Sequence, residues 1–463
     1  MSVTKNVSLV KSQNLLIAAI AFGIILNPLN TSMITVAMPE IKSEFSLTSQ
    51  DITWLIASYF IVCAIFLPLI GKLSDFYGRK KIFLSGLLLV SISSFAAPLS
   101  QNMPFLLAMR SIQAIGTSAL YPAGMGIVRS YIEKNQNRVI GSLTVCATTS
   151  AAFGPTISGL LIHLGGWHVI FYVNFPIIII SAILGFFFIP KDETMAVKAF
   201  KWDGIGIIVF GCLISLWIYF LQTLKSGLSL WALIGTLALT FLFYFFEKRK
   251  EDPFIDVMFL KKNLNISFVY IQYILATLIF FAMLLSMPMY LQSELMLSSK
   301  LTGFIMLSLS IFSIISTPLA TRWIEKSGFK SPLLTGVIIG VVGVVLLMTI
   351  KHSSPLIWIF IVLSIIGFSN GMLNIGLQTL LYSFVSKSET GRASGLFLTS
   401  RFMGNILASS AFGLMFATGV NDTNLNWMTI ILIVVSIILF TGILFIGKNK
   451  GGRGTTGLKK MNA

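Results

Sequence analysis

Long apolar runs recur from one end of this chain to the other, and they limit its fold more than any other feature. Fourteen can be drawn, at roughly 14–39, 52–71, 82–100, 103–128, 140–162, 169–189, 204–224, 228–246, 266–291, 300–321, 332–350, 355–383, 393–418 and 427–446. Each has about the 20 residues that a helix needs to cross a bilayer. Backbone polar groups in hydrocarbon must be satisfied within the segment, and runs of this length do so as helices. The expected fold is therefore an all-α polytopic membrane protein. Composition agrees: 56% of the 463 residues are hydrophobic and 11% are charged, against about 25% charged in soluble domains. The first run ends at Pro39-Glu40 without a small-residue cleavage site, so it reads as a retained helix and not a signal peptide.

The net charge of +17 would suggest nucleic acid in a soluble protein. Here topology accounts for it. With the N-terminus placed in the cytoplasm, the external loops hold only Lys42, Lys225, Lys300 and Lys351, and Arg110 and Arg401 lie inside spans. Every other Lys and Arg is then cytoplasmic, which puts both termini inside. Anionic lipid is the partner such a surface attracts; no nucleic acid is expected. Cys63, Cys146 and Cys212 all fall in apolar runs, without C-x-x-C or a Cys/His cluster, so neither disulfides nor a metal site is indicated. No nucleophile–base set or phosphate loop stands out, which argues against an enzyme. Lys outnumbers Arg and Ile is abundant, as in a bacterial protein from an AT-rich genome.

The stretch Gly71-Lys72-Leu73-Ser74-Asp75-Phe76-Tyr77-Gly78-Arg79-Lys80-Lys81 joins the second and third runs. Its glycines allow a tight turn, and Asp75 lies among Lys72, Arg79, Lys80 and Lys81, where ion pairs can differ between two conformations. The pattern resembles the G-x-L-x-D-x-x-G-R-[KR] loop between helices 2 and 3 of the major facilitator superfamily. That resemblance implies a gating role for Gly71, Asp75, Gly78, Arg79 and Lys80. At one constant offset, Asp75 maps to Glu325, Gly78 to Gly328 and Lys80 to Lys330. The chain thus reads as an N-terminal six-helix half (1–190), two inserted helices with linkers (191–265), a C-terminal six-helix half (266–447) and a basic tail (448–463). Parallel halves of this kind rock about a midplane site.

Other motifs refine the resemblance. Asn27, Asn30 and Thr31 share a face of span 1, where Pro28 frees a carbonyl. The run is similar to L-D-x-T-x-x-x-x-A-L-P of the fourteen-span drug/proton antiporters, with Asn30 where that branch has Asp. These amides either join helices or line a site. Trp54 and Tyr59 match the branch's W-x-x-x-x-Y spacing, as interfacial anchors or as aromatic walls of a pocket. Arg110, Gln113, Thr117 and Tyr121 form one stripe on span 4. R-x-x-Q-x-x-G there resembles the motif linked to proton coupling; otherwise Arg110 caps neighbouring carbonyls. Gly154, Pro155 and Gly159 resemble the exporter motif G-P-x-x-G-G, with Ser158 replacing one glycine, and glycines there let helices pack closely. His163 and His168 read as solvated. Asn370, Asn374 and Gln378 on span 12, and Arg401, Asn405 and Ser409 on span 13, form two further polar faces.

The resemblance implies a proton-coupled exporter of amphiphilic drugs, working by alternating access, with a dedicated exporter of one metabolite, antibiotic or siderophore as the alternative. No cofactor is implied; a proton gradient supplies the energy. The expected partners are small-molecule drugs, protons and lipid, with the chain as a monomer. Every Asp and Glu falls in a cytoplasmic segment or, for Glu40, Glu44, Asp51, Glu294 and Asp422, at or beyond the external end of a span. None is left at midplane. The expected substrates are therefore neutral, zwitterionic or anionic amphiphiles, not dications, because an unpaired charge in a low-dielectric cavity is penalised. Protonation then falls to a carboxylate near the external mouth, with Glu40, Asp51 and Glu294 as candidates beside Arg110. The substrate-binding candidates are Asn27, Asn30, Trp54, Tyr59, Gln113, Tyr121, Asn370, Asn374 and Arg401.

Overall fold

The computed structural model describes residues 13–132, 136–191, 203–224, 227, 229–250, 253–385 and 390–446. Among these, the regular structure is helical throughout: α1 (Gln13–Ile24), α2 (Leu26–Glu44), α3 (Ser49–Tyr77), α4 (Arg79–Ala96), α5 (Met103–Tyr131), α6 (Gln136–Gly165), α7 (Val169–Tyr172), α8 (Asn174–Phe188), α9 (Gly204–Thr223), α10 (Leu230–Lys248), α11 (Val257–Lys262), α12 (Leu264–Ser293), α13 (Ser299–Ser327), α14 (Lys330–Leu347), α15 (Leu356–Phe384), α16 (Thr390–Met415) and α17 (Asp422–Ile446). Local chemistry sets several starts. Thr48 and Asp51 form a capping box at α3, and Asn102, Asp203, Asp256 and Ser298 accept from the first-turn amides of α5, α9, α11 and α13.

By length and composition, 11 helices among the described residues are apolar enough to cross a membrane, or up to 12 if the two pieces of α6, bent by 41°, count as one span. The sequence count of fourteen differs at α5 and α16. Both are long, but α5 carries Arg110, Gln113 and Thr117, and α16 carries Arg401, Asn405 and Ser409, which lower their hydropathy.

The stretch 71–81 is not a loop. Helix α3 continues through it to Tyr77, and α4 starts at Arg79, so the chain reverses about a single residue, Gly78. Its φ of 104° is one that L side chains rarely adopt. Gly328, with φ of 77°, does the same between α13 and α14, apart from Phe329 at the cap.

Helices α1–α8 pack on one another, as do α12–α17. The two groups meet mainly along two crossings, α6 on α13 and α3 on α16, with α2 against α12 between them. The α9–α10 hairpin lies outside, with α9 on α3 and α16. It exposes large apolar side chains such as Ile208, Trp217, Leu237 and Phe241, the surface expected of a helix facing lipid. The end of the bundle bearing Arg79, Arg129, Arg322 and Lys330 is called the basic end below.

Candidate functional site: a cavity between the two helix groups

A cavity of about 1340 Å³ lies between α2, α3, α5 and α6 on one side and α12, α13, α15 and α16 on the other. Its mouth is at the basic end, lined by Arg79, Arg129, Arg322, Tyr382 and the segment Pro253–Asp256. The opposite end is shut by contacts between the two groups. Ser49 Oγ donates to the Phe416 carbonyl at 2.6 Å, Thr53 Oγ1 to the Ser409 carbonyl at 3.0 Å, and Gln292 Nε2 to the Val36 carbonyl at 3.1 Å. Thr156 Oγ1 donates to the Gly303 carbonyl at 2.9 Å. At that crossing a Cβ on Gly159 would sit 2.5 Å from the Ser299 carbonyl oxygen and 3.0 Å from the Gly303 Cα. A Cβ on Gly154 would collide with Ser32. Phe60 of α3 meets Phe281 of α12 edge-on, with ring centroids 5.0 Å apart, and lies 5.9 Å from Phe402 of α16.

The two walls differ. Helices α15 and α16 supply Asn370, Asn374, Gln378, Arg401 and Asn405. Asn370 Nδ2 donates to Ser313 Oγ at 3.0 Å, and Asn374 Nδ2 lies 3.5 Å from the hydroxyl of Tyr273, whose ring stacks on Phe397 at 3.7 Å. The facing wall offers Thr31, Ser32, Leu67, Pro68, Tyr121 and Met125. Of the described lining residues, Asp256 is the sole carboxylate, and it caps α11 through the Phe259 amide at 2.7 Å.

Of the substrate-binding candidates read from sequence, Tyr121, Asn370, Asn374 and Arg401 line this cavity. The others lie elsewhere in this conformation. Asn30 is 4% exposed and paired reciprocally with Asn174: its Nδ2 donates to Asn174 Oδ1 at 3.0 Å, and its Oδ1 accepts from Asn174 Nδ2 at 2.9 Å. Asn30 Oδ1 also accepts from Gln113 Nε2 at 3.1 Å, and Gln113 Oε1 accepts from Arg110 Nη1 at 2.6 Å. Ser94 Oγ accepts from Asn174 at 3.0 Å. The result is a closed polar network among α2, α4, α5 and α8, without a carboxylate among its described members. The Arg110 guanidinium lies 4.3 Å from the centroid of the Tyr59 ring, its Nε unpartnered. Tyr59 in turn shares hydrogen bonds with Thr117 and Asn27. Trp54 is half-buried against the core. Asn174 and Ser94 were not candidates, although Asn174 is conspicuous in sequence as an amide within an apolar run.

Arg79 and Lys80 each tie down one helix. Arg79 Nη1 donates to the Gly126 carbonyl at 2.6 Å and to Ser130 Oγ, fixing the start of α4 to the end of α5. Lys80 Nζ donates to the carbonyls of Phe186 and Ile189, each at 2.6 Å, satisfying the C-terminal end of α8. Gly71 lines the cavity. The side chain of Asp75 lies outside the described residues.

Asp51 accepts from the Thr48 amide at 2.8 Å and the Thr48 hydroxyl at 2.7 Å. Glu40 faces the Gly166–Trp167 turn, and Glu294 caps the end of α12. None of the three lines the cavity. His168 is half-exposed, stacked on Trp167 and 3.8 Å from Glu44. No cluster of His, Cys, Asp and Glu among the described residues has the arrangement of a metal site.

A family model described as Major Facilitator Superfamily matches residues 20–409 and again 269–460. YwoD of Bacillus subtilis, named an uncharacterized MFS-type transporter, is 37% identical over 429 residues, covering 92% of this chain and 95% of its own. Multidrug resistance protein Stp of Mycobacterium tuberculosis is 24% identical and spans 89% of this chain and 78% of its own. Riboflavin transporter RibZ of Clostridioides difficile is 27% identical across 88% of this chain and 89% of its own. The crystal structure of the nucleoside transporter NupG shares the fold, with a TM-score of 0.65 at 14% identity, over 94% of this chain and 99% of that one.

Proposed function

Because the chain belongs to the Major Facilitator Superfamily, it is a multi-pass membrane transporter and not an enzyme, and we propose that it exports amphiphilic drugs or toxic compounds across the cytoplasmic membrane in exchange for external protons. The observation that carries this reading is a central cavity with one open end and one end shut by contacts between the two helix groups. Such a site can face each side in turn if the groups rock about it. On this reading α5 and α16 also cross the membrane, polar as they are, because their polar faces look into the network or the cavity and not into lipid. That makes fourteen spans. The basic end is cytoplasmic, from the bias of Lys and Arg, so the cavity here faces the cell interior, where a substrate for export is collected.

Two relatives favour different breadths of substrate. Stp is named for multidrug resistance and RibZ for riboflavin transport. A broad exporter and a dedicated one are separated by transport into inverted vesicles across a dye and drug panel. The proposal expects several unrelated amphiphiles to accumulate, and a protonophore to abolish the accumulation. Transport of one compound alone, or transport indifferent to the pH gradient, would remove the multidrug or the antiport part respectively.

A further inference from the structure

Arg110 and Arg401 lie deep within helices that frame the cavity, away from the basic end, and they are held in opposite ways. Arg110 is buried, bonded to Gln113 and laid on the Tyr59 ring. Arg401 lines the cavity and has no hydrogen-bond or ion-pair partner among the described residues. It stands about 16 Å along α16 from the basic end, at 1.5 Å per residue, two turns before Ser409, where the closed end begins. Asn405 follows one turn later on the same face, with Asn374 and Gln378 on α15 lining the same wall.

In this open conformation water can solvate the Arg401 guanidinium. Once the mouth closes, that water leaves, and an unpaired guanidinium near midplane becomes costly. The described cavity wall has no carboxylate at depth to receive it, and Asp256 at the mouth is engaged with α11. The neutralising group must therefore arrive with the substrate. A guanidinium presents a planar fork of N–H donors that matches a carboxylate, sulfonate or phosphate bidentately. Phe280, Phe281, Leu284 and Leu398 also line the cavity and offer apolar surface to the body of the same molecule. We propose that this transporter selects organic anions, and that Arg401, with the amides of Asn374, Gln378 and Asn405, receives the anionic group. The proposal rests on the central cavity being the substrate site. It does not rest on proton exchange. An anion leaving the cell also moves with the inside-negative membrane potential, by about 2.3 kcal/mol per charge per 100 mV.

The test is equilibrium binding to purified full-length protein in detergent, with no gradient, using two xanthene dyes of opposite charge: fluorescein, an anion, and pyronin Y, a cation. Wild type is expected to bind fluorescein more tightly. Arg401→Gln should weaken fluorescein by about tenfold to a hundredfold, the worth of charge-assisted hydrogen bonds, while leaving pyronin Y unchanged or tighter. Arg401→Lys should restore part of the loss, since it keeps the charge without the fork. Asn405→Asp gives Arg401 an internal partner one turn away and should weaken fluorescein in the same direction, with Arg401 itself intact. Pyronin Y bound as tightly as fluorescein by wild type would overturn the proposal. So would fluorescein affinity unchanged in both Arg401→Gln and Asn405→Asp. Binding of the anion without proton-linked export would leave this proposal standing and remove the antiport reading.

Discussion

Asn30 shows how a residue can match a motif and still be placed by packing. Both ends of its amide are used: Oδ1 accepts from Gln113 and Asn174, and Nδ2 donates to Asn174 Oδ1 and to the Leu26 carbonyl at 2.7 Å. A carboxylate cannot make the last two bonds, and Asn174 Oδ1 would face another oxygen. Asn30→Asp is therefore expected to lower thermal stability, by about 1–3 kcal/mol for the unsatisfied buried groups, and to leave the substrate range unaltered. Melting in detergent and a transport panel on the same preparation check both. A changed range at full stability would put Asn30 in the substrate path. Sequence alone could read Asn27, Asn30, Gln113 and Asn370 as polar faces of apolar helices. It could not say which faces turn into a helix bundle and which into the gap between bundles, because periodicity gives a face and not its neighbour. That is why Asn370, Asn374 and Arg401 fall on the cavity wall while Asn30 and Gln113 are spent on joining α2, α5 and α8.

Among elements, the closed end depends on the approach of α6 to α13. Gly159 and Gly303 let the two backbones touch, and a methyl group at Gly159 would overlap the Ser299 carbonyl. Gly159→Ala should therefore push the halves apart there and shift the population toward the conformation open at that end. A single cysteine at Thr53, in a background lacking Cys63, Cys146 and Cys212, should then label faster than in the parent with Gly159 intact. Equal labelling would mean that the crossing yields without opening.

The α9–α10 hairpin, read from sequence as an insertion, is tied to the segment that lines the cavity mouth. Asp203 pairs with Lys250 and accepts from the Gly206 and Phe254 amides at 2.8 and 3.1 Å, and Glu247 accepts from the Ile255 amide at 2.9 Å. These bonds hold Phe254 and Ile255 against the cavity. Burial pushes the Asp203 carboxyl up, but Lys250 and the Gly206 amide outweigh it and leave the group below the usual carboxylate range. A lowered value means that the tie is intact at neutral pH and is lost as pH falls through it. Asp203→Asn should loosen the segment 253–256 at neutral pH, seen as faster amide exchange at Phe254. Unchanged exchange would show that packing alone holds the segment. No periodicity marks the bonds of Asp203 to Lys250 and Phe254, since these residues are far apart in the chain.

For the molecule as a whole, the two matching turns were legible because turns are sequence-local. Gly78 and Gly328 occupy matching positions, and each takes the positive φ that a reversal between two helices demands. The location of the opening was not legible, since it depends on contacts such as Ser49 with Phe416, which join helices hundreds of residues apart. On the proposed transport cycle the two ends of the cavity open in alternation. Spin labels on Arg129 and Arg322 report the mouth, and labels on Leu47 and Ala417 report the closed end. The most direct measurement is the pair of distance distributions by pulsed electron paramagnetic resonance in lipid nanodiscs, with and without a transported amphiphile across a range of pH. Conditions that shorten the Arg129–Arg322 distance should lengthen the Leu47–Ala417 distance. Distances that change together, or a mouth that never narrows, would contradict it.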